Sequence, residues 1–332
     1  MTLTVQSRAR GGMVGVLCGD AALAPFENKK TSQIIAELMP HGGKLVPFDY
    51  LEPWQRKRTI PKGHPTDDAE LTAALGLGLL SDTFDHSRIY LRLRDFIHGN
   101  GGTRKSVLTN GEAYGSGGTL RSALREPTYE DSMRAFREGR VRAVPTNGSL
   151  MRNTPIALRY ITDNATFAQW QSCITHIAPE AQVACMAHAL VGSFALDGMA
   201  PMAAWKNAQN VLQKLLENER QSKDKILLDS LTKVLTFGRS MPTEFEIWPN
   251  SGEALVSFRI ALSAFLTAEN FLDGITKVLM VGGDTDTYGA IAGGLLGIHF
   301  GLEGIPKEWR DILIGREIMI DLADKLIARS GR

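Results

Sequence analysis

Apolar residues recur at three- and four-residue steps along most of this chain, the period of helices that bury one face. The pattern predicts helices over 68–82, 180–196, 202–219, 225–238, 254–268 and 311–330. Segments that alternate strictly between apolar and polar residues, as half-buried strands do, are scarce. The expected fold is therefore all-α: one compact multi-helix domain over residues 1–332, with no Pro/Ser linker and no convincing repeat.

Two stretches break the helical period. Residues 40–65 carry Pro, Gly and basic residues, including the run Arg56, Lys57, Arg58, and residues 98–119 are rich in glycine. Loops of that length in a compact domain are usually functional or disordered. The first leads directly into an acidic motif.

Composition narrows the classes. The 332 residues are 43% apolar, enough for a large core, and 37 basic against 36 acidic residues leave a formal charge of +1. No bulk charge draws the chain to nucleic acid or to an acidic surface. Cys18, Cys173 and Cys185 are too scattered for a zinc site or a disulfide scaffold, and they fit a reducing compartment. The N-terminus lacks a signal-peptide pattern and no apolar run is long enough to span a bilayer, so a cytoplasmic protein without a membrane partner is expected.

The candidate chemistry lies where carboxylates interrupt apolar sequence. "VGGDTDTYGAIAGGLLG" (281–297) sets Asp284, Thr285, Asp286 and Thr287 into a glycine-rich run. Helix capping accounts for one or two of these residues, not for the pair of carboxylates. "PTDDAEL" (65–71) repeats the design with Thr66, Asp67 and Asp68 ahead of an amphipathic helix. Taken alone, such acids are common partners of the helix dipole. Adjacent helical residues diverge by about 100°, so each pair can face two different ions. Mg²⁺ and Mn²⁺ take oxygen ligands in octahedral geometry, and Asp67, Asp68, Asp284 and Asp286 with the Thr66 and Thr287 hydroxyls suit a pair of them. Without cations, converging carboxylates repel and take up protons. Gly289, Gly293 and Gly297, spaced by four, allow a helix to approach its neighbour closely.

These motifs, in order with "GGMVGVLCGDAALAPFE" (11–27), "TNGSLMRNTPIAL" (146–158), "THIAPEAQVA" (175–184) and "IPKEW" (305–309), resemble the ADP-ribosylglycohydrolases over most of the chain. The resemblance implies a compact all-α fold around a two-metal centre of Mg²⁺ or Mn²⁺. Its metal ligands fall on Thr66, Asp67, Asp68, Asp284, Asp286 and Thr287, with Glu27 at the metal site or gating it. It places Asn147, Gly148, Ser149, His176 and Gly252 at the substrate. Read on its own, "NGS" is equally a turn, and a lone histidine such as His176 near a helix start is more often a capping or packing residue. The reaction implied is hydrolysis at ribose C1 of an ADP-ribosylated acceptor, through an oxocarbenium-like stage. Glu27, Asp67 and Asp68 are candidates to move the proton. The acceptor is a protein side chain, a nucleic-acid base or a small molecule.

The chain departs from the family pattern in three places. Ala69 stands where a second threonine is usual. Gly115 stands where arginine-type members carry an aspartate, leaving Glu112 as the nearest carboxylate and a further candidate base. Glu253 stands where an aromatic often follows the glycine, which leaves Phe245 or Trp248 to stack on adenine. Two other classes compete with the hydrolase. One is an immunity-type or catalytically silent binder, with residues 40–65 as a contact for an ADP-ribosylating toxin. The other is a two-metal phosphoester hydrolase.

Overall fold

The computed structural model describes residues 3–47, 49–51, 59–99, 106–109, 114–219, 224–243, 246–247 and 251–332. Among these, sixteen α-helices dominate. The first half contains α1 (Val5–Leu23), α2 (Thr31–Leu38), α3 (Asp67–Gly78), α4 (His86–His98), α5 (Gly118–Ala123), α6 (Tyr129–Arg137), α7 (Thr154–Arg159) and α8 (Asn164–Cys173). The second contains α9 (Pro179–Leu196), α10 (Pro201–Glu219), α11 (Lys225–Leu235), α12 (Ala254–Thr267), α13 (Phe271–Leu279), α14 (Thr285–Phe300), α15 (Lys307–Arg310) and α16 (Arg316–Ala328). One two-stranded antiparallel ribbon, β1 (Tyr50–Leu51) with β2 (Thr59–Ile60), lies inside the irregular 40–65 region. The all-α expectation holds, and α3 and α9 to α12 fall where the apolar period puts them. The helix expected over 311–330 starts late, at Arg316, because Gly315 before it has a φ of 89° that no right-handed helix contains; α15 ends just ahead of the expected span, at Arg310.

The main core is a contiguous cluster drawn from both ends of the chain, from Ala9 on α1 to Leu326 on α16, with a small satellite of Ala123, Ala135, Phe136 and Val141 beside it. Its axis is the pair α1 and α14. Both helices are buried on all sides over most of their length, the mark of a central rather than a surface helix. They run antiparallel, with Gly11, Gly15 and Gly19 facing Gly297, Gly293 and Gly289. A Cβ at Gly15 would run into the Gly293 carbonyl oxygen, and a Cβ at Gly293 into that of Gly15. Backbone therefore lies directly on backbone, an approach only glycine permits. The antiparallel register sets the last turn of α1, with Asp20, beside the first turn of α14, with Asp286. α3 packs across the same end of α1.

Candidate active site

The tip of α3 is anchored by a carboxylate from α1. Thr66 is its N-cap, and the first-turn amides need acceptors. Asp20, fully buried, supplies them: its Oδ2 accepts from the backbone N of Thr66 at 2.9 Å and of Ala69 at 3.0 Å. The Thr66 hydroxyl lies 2.8 Å from Asp20 Oδ1 and 3.1 Å from Asp68 Oδ2. Asp68 itself is 2% exposed, and its Oδ1 has no hydrogen-bond partner among the described residues.

The tip of α14 is built differently from an ordinary cap. Asp284 occupies the N-cap position but makes no capping hydrogen bond. Its Oδ2 instead accepts from Asn147 Nδ2 at 2.7 Å. Thr285 is structural, its hydroxyl donating to Leu23 O at 2.9 Å and tying α14 to the end of α1. Asp286 Oδ1 accepts from the Thr287 amide at 2.9 Å. Just upstream, Lys29 and Gly283 form an isolated antiparallel bridge, with Asn28 N donating to Gly283 O at 2.7 Å. That bridge sets Glu27 against α14, and oxygen atoms of Glu27, Asp284 and Asp286 lie within 4.8 Å of one another.

The facing wall is a second stitched pair of loops. Thr146 bridges Glu253, and Asn147 N donates to Gly252 O at 2.9 Å. Asn147, Gly148, Gly252 and His176 line the cavity. Ser149 does not. Its side chain is fully buried, 2.8 Å from the Ser172 hydroxyl, so it offers the cavity no donor group. The 3-10 turn Asn147–Ser149 sends its first side chain to the cavity and its last into the core.

These walls enclose a cavity of about 510 Å³, within the usual range of roughly 300–1,000 Å³ for small-molecule sites. Asp68 and Asp286 share it with Glu27, Asp67, Asp284, Thr66 and Thr287. Arg121 is the one arginine or lysine among the described lining residues. Burial, then the charges of Asp284, Asp67 and Asp20, pushes Glu27 up to about 8. Burial pushes Asp20 up to about 7 against its hydrogen bonds from Thr66 and Ala69. Burial and like charge also hold Asp68 and Asp286 well above the usual carboxylate range. A buried, partnerless carboxylate oxygen within a crowd of oxygen donors fits hard divalent cations.

The same shifts give a pH prediction. Unfolded carboxyls titrate near pH 4, whereas Glu27 and Asp20 hold their protons to about 8 and 7. The native state thus binds more protons across that interval, and stability falls as pH rises through it. Thermal unfolding of the metal-free protein should show a lower midpoint at pH 8 than at pH 5. Mg²⁺ or Mn²⁺ should raise the midpoint most at pH 8. A midpoint indifferent to pH and to both ions would contradict this electrostatic account.

Two lining residues go beyond the sequence reading, and a third, Gly115, gains a structural reason. Tyr50 of the ribbon and Tyr114, whose ring meets His64 edge-on at 4.8 Å, stand over the cavity. Gly115 has φ +75°, and a Cβ there would run into the Asp67 carboxylate. A larger residue at this position would displace Asp67. Asp20 was also missed: a lone carboxylate in an apolar run carries no periodic signal. Glu112, Phe245, Trp248 and the basic run Arg56, Lys57, Arg58, the charged part of the contact expected with a toxin, lie outside the described residues.

Among the described residues, no helix is long and apolar enough to cross a membrane. The ADP-ribosylglycohydrolase family model matches residues 1–332. The ADP-ribosyl-[dinitrogen reductase] glycohydrolase of Rhodospirillum rubrum is 25% identical over 99% of this chain and 98% of its own length. The ADP-ribosylhydrolase ARH3 of Mus musculus is 25% identical over 96% of this chain and 91% of its own. A solved structure described as an ADP-ribosylglycohydrolase-related protein complex superposes with a TM-score of 0.68 at 26% identity, over 98% of this chain and 99% of that one. With its acidic cavity between two helix tips, the chain belongs to the ADP-ribosylglycohydrolase family.

Proposed function

We propose that the acidic cavity is the catalytic centre of a metal-dependent hydrolase that cleaves the bond from ribose C1 of an ADP-ribosylated acceptor and releases ADP-ribose. The observation that carries the reading is the convergence of the α3 and α14 tips on one cavity, with the Asp68 Oδ1 atom buried and without a partner among the described residues. Thr66, Asp67, Asp68, Asp284, Asp286 and Thr287 are the residues that would hold two Mg²⁺ or Mn²⁺ ions. When bound, such ions supply Lewis acidity and neutralise the cluster.

The chain's own groups do the rest. Asn147 donates to Asp284 at 2.7 Å and to Ser257 Oγ at 2.9 Å, which fixes the Asp284 carboxylate in place. Carboxylates beside the ring favour the positive charge that grows on C1 as the bond lengthens. Glu27 and Asp67 are less deeply buried than Asp68 and Asp286. They are our assignments for moving the proton, from the attacking water or to the departing acceptor atom. Asn147, Gly148, His176 and Gly252 form the wall against which the rest of the nucleotide lies. We place the reaction in the cytoplasm.

The test is a substrate panel after titration with Mg²⁺ or Mn²⁺, measuring products from arginine-, serine- and base-linked ADP-ribose. Free ADP-ribose from at least one of them is the expected product. AMP would assign the site to a phosphoester hydrolase. No heat of metal binding and no turnover would favour a catalytically silent binder.

A further inference from the structure

Beneath the cavity wall lies a buried cation that the hydrolysis does not use. Arg152 is fully buried and makes no ion pair among the described residues. Its guanidinium donates only to neutral acceptors: Gln171 Oε1 at 3.1 Å, Gly148 O at 3.1 Å, Gln171 O at 3.2 Å and Thr175 Oγ1 at 2.8 Å. Burying a charge without a counter-charge is unfavourable unless every donor is satisfied, so the arrangement calls for a reason.

We propose that Arg152, acting through Thr175, is a positioning residue that holds His176 as its Nε2–H tautomer. The cavity wall thereby presents a fixed hydrogen-bond donor to an acceptor oxygen of the bound nucleotide. The identity of that ligand rests on the reading of the cavity given above; the tautomer does not.

Counting hydrogens gives the tautomer. A guanidinium only donates, so Thr175 Oγ1 accepts from Arg152. The same oxygen lies 2.8 Å from His176 Nδ1. Thr175 has no other side-chain partner among the described residues, so its single hydroxyl hydrogen goes to Nδ1. An imidazole that accepts at Nδ1 carries its proton on Nε2. Protonation of both nitrogens is opposed by burial and by the Arg152 charge, which together push His176 down to about 3. Nε2 has no partner among the described residues, and His176 lines the cavity. It sits against Gly148, where a Cβ would lie 3.0 Å from Nε2 and 2.9 Å from Cε1. Glycine at 148 is what lets the ring stand at the wall.

The test is ¹⁵N NMR on the full-length, metal-free protein with labelled histidine. His176→Gln identifies the signal among the seven histidines. The expected pattern for His176 is a pyridine-type Nδ1 and a pyrrole-type Nε2. Thr175→Val should mix the tautomers and weaken ADP-ribose binding by about tenfold, the scale of one hydrogen bond. Thr175→Ser should restore both. A pyrrole-type Nδ1 in the unsubstituted protein, or an unchanged His176 spectrum in Thr175→Val, would overturn the relay. Should Thr175→Val not fold, the spectrum of the unsubstituted protein still decides. The expected tautomer with no affinity for ADP-ribose would leave the relay standing and remove its assigned ligand.

Discussion

Asp68→Asn lowers turnover by about a thousandfold or more, yet raises the thermal midpoint of the metal-free protein. Asparagine keeps the shape and one carbonyl oxygen but removes a charge. Asp68 is 2% exposed, and one of its oxygens has no partner among the described residues, so beyond its contact with Thr66 the side chain adds little to the apo fold. What it contributes is a cost, since in the apo protein it must either stay charged among like charges or take up a proton. Burial, then Asp20, Asp67 and Asp284, all raise its proton affinity, and a neutral amide relieves that crowding. The same change weakens the grip on divalent cations. A thousandfold loss corresponds to about 4 kcal/mol of barrier, within the several kcal/mol that a metal centre supplies. Three measurements belong together: kcat, the apo midpoint, and the rise in midpoint on adding Mn²⁺. Turnover within tenfold of the native chain, or an undiminished response to Mn²⁺, would refute the ligand assignment.

Gly15→Ala and Gly76→Ala should move stability in opposite directions. Both glycines lie inside helices, where alanine is normally favoured by about 1 kcal/mol. At Gly76 the new Cβ meets Leu322 Cδ1 at 3.7 Å, an ordinary contact, and the protein should become as stable or slightly more so. At Gly15 it runs into the Gly293 carbonyl, which is held in a helix and cannot swing aside. Overpacking of this kind usually costs about 1–3 kcal/mol, and more where the neighbour is rigid. We expect about 3 kcal/mol or more, read from denaturant titration, with activity falling because Asp20 and Asp286 move apart. A Gly15→Ala protein as stable as Gly76→Ala would disprove direct backbone contact between α1 and α14.

The chain disclosed its parts unevenly. α10 and α11 have one apolar and one polar face, and their period shows it. α1 does not: it is buried all round and carries Gly11, Gly12, Gly15 and Gly19, residues that weaken a helix in isolation and are favoured here only by a partner distant in sequence. The acidic residues at both helix tips were legible because carboxylates in apolar sequence demand a reason. Asp20 demands the same reason, but its hydrogen bonds reach 46 and 49 residues ahead, beyond any local pattern. Ser149 shows the converse failure. Its motif lies at the cavity wall, but its side chain turns to Ser172, which no spacing rule connects to it.

The glycine seam between α1 and α14 has one more consequence. Its width is set by main-chain atoms in contact, with no side chain between them whose rotamer could adjust it. The separation of Asp20 at the end of α1 from Asp286 at the tip of α14 is therefore a built-in gauge, insensitive to the repacking that retunes ordinary cores. Selectivity among acceptors must then arise in the remaining lining, from residues such as Tyr50, Ile60 and 114–118, while the reacting end of the pocket keeps a single calibre.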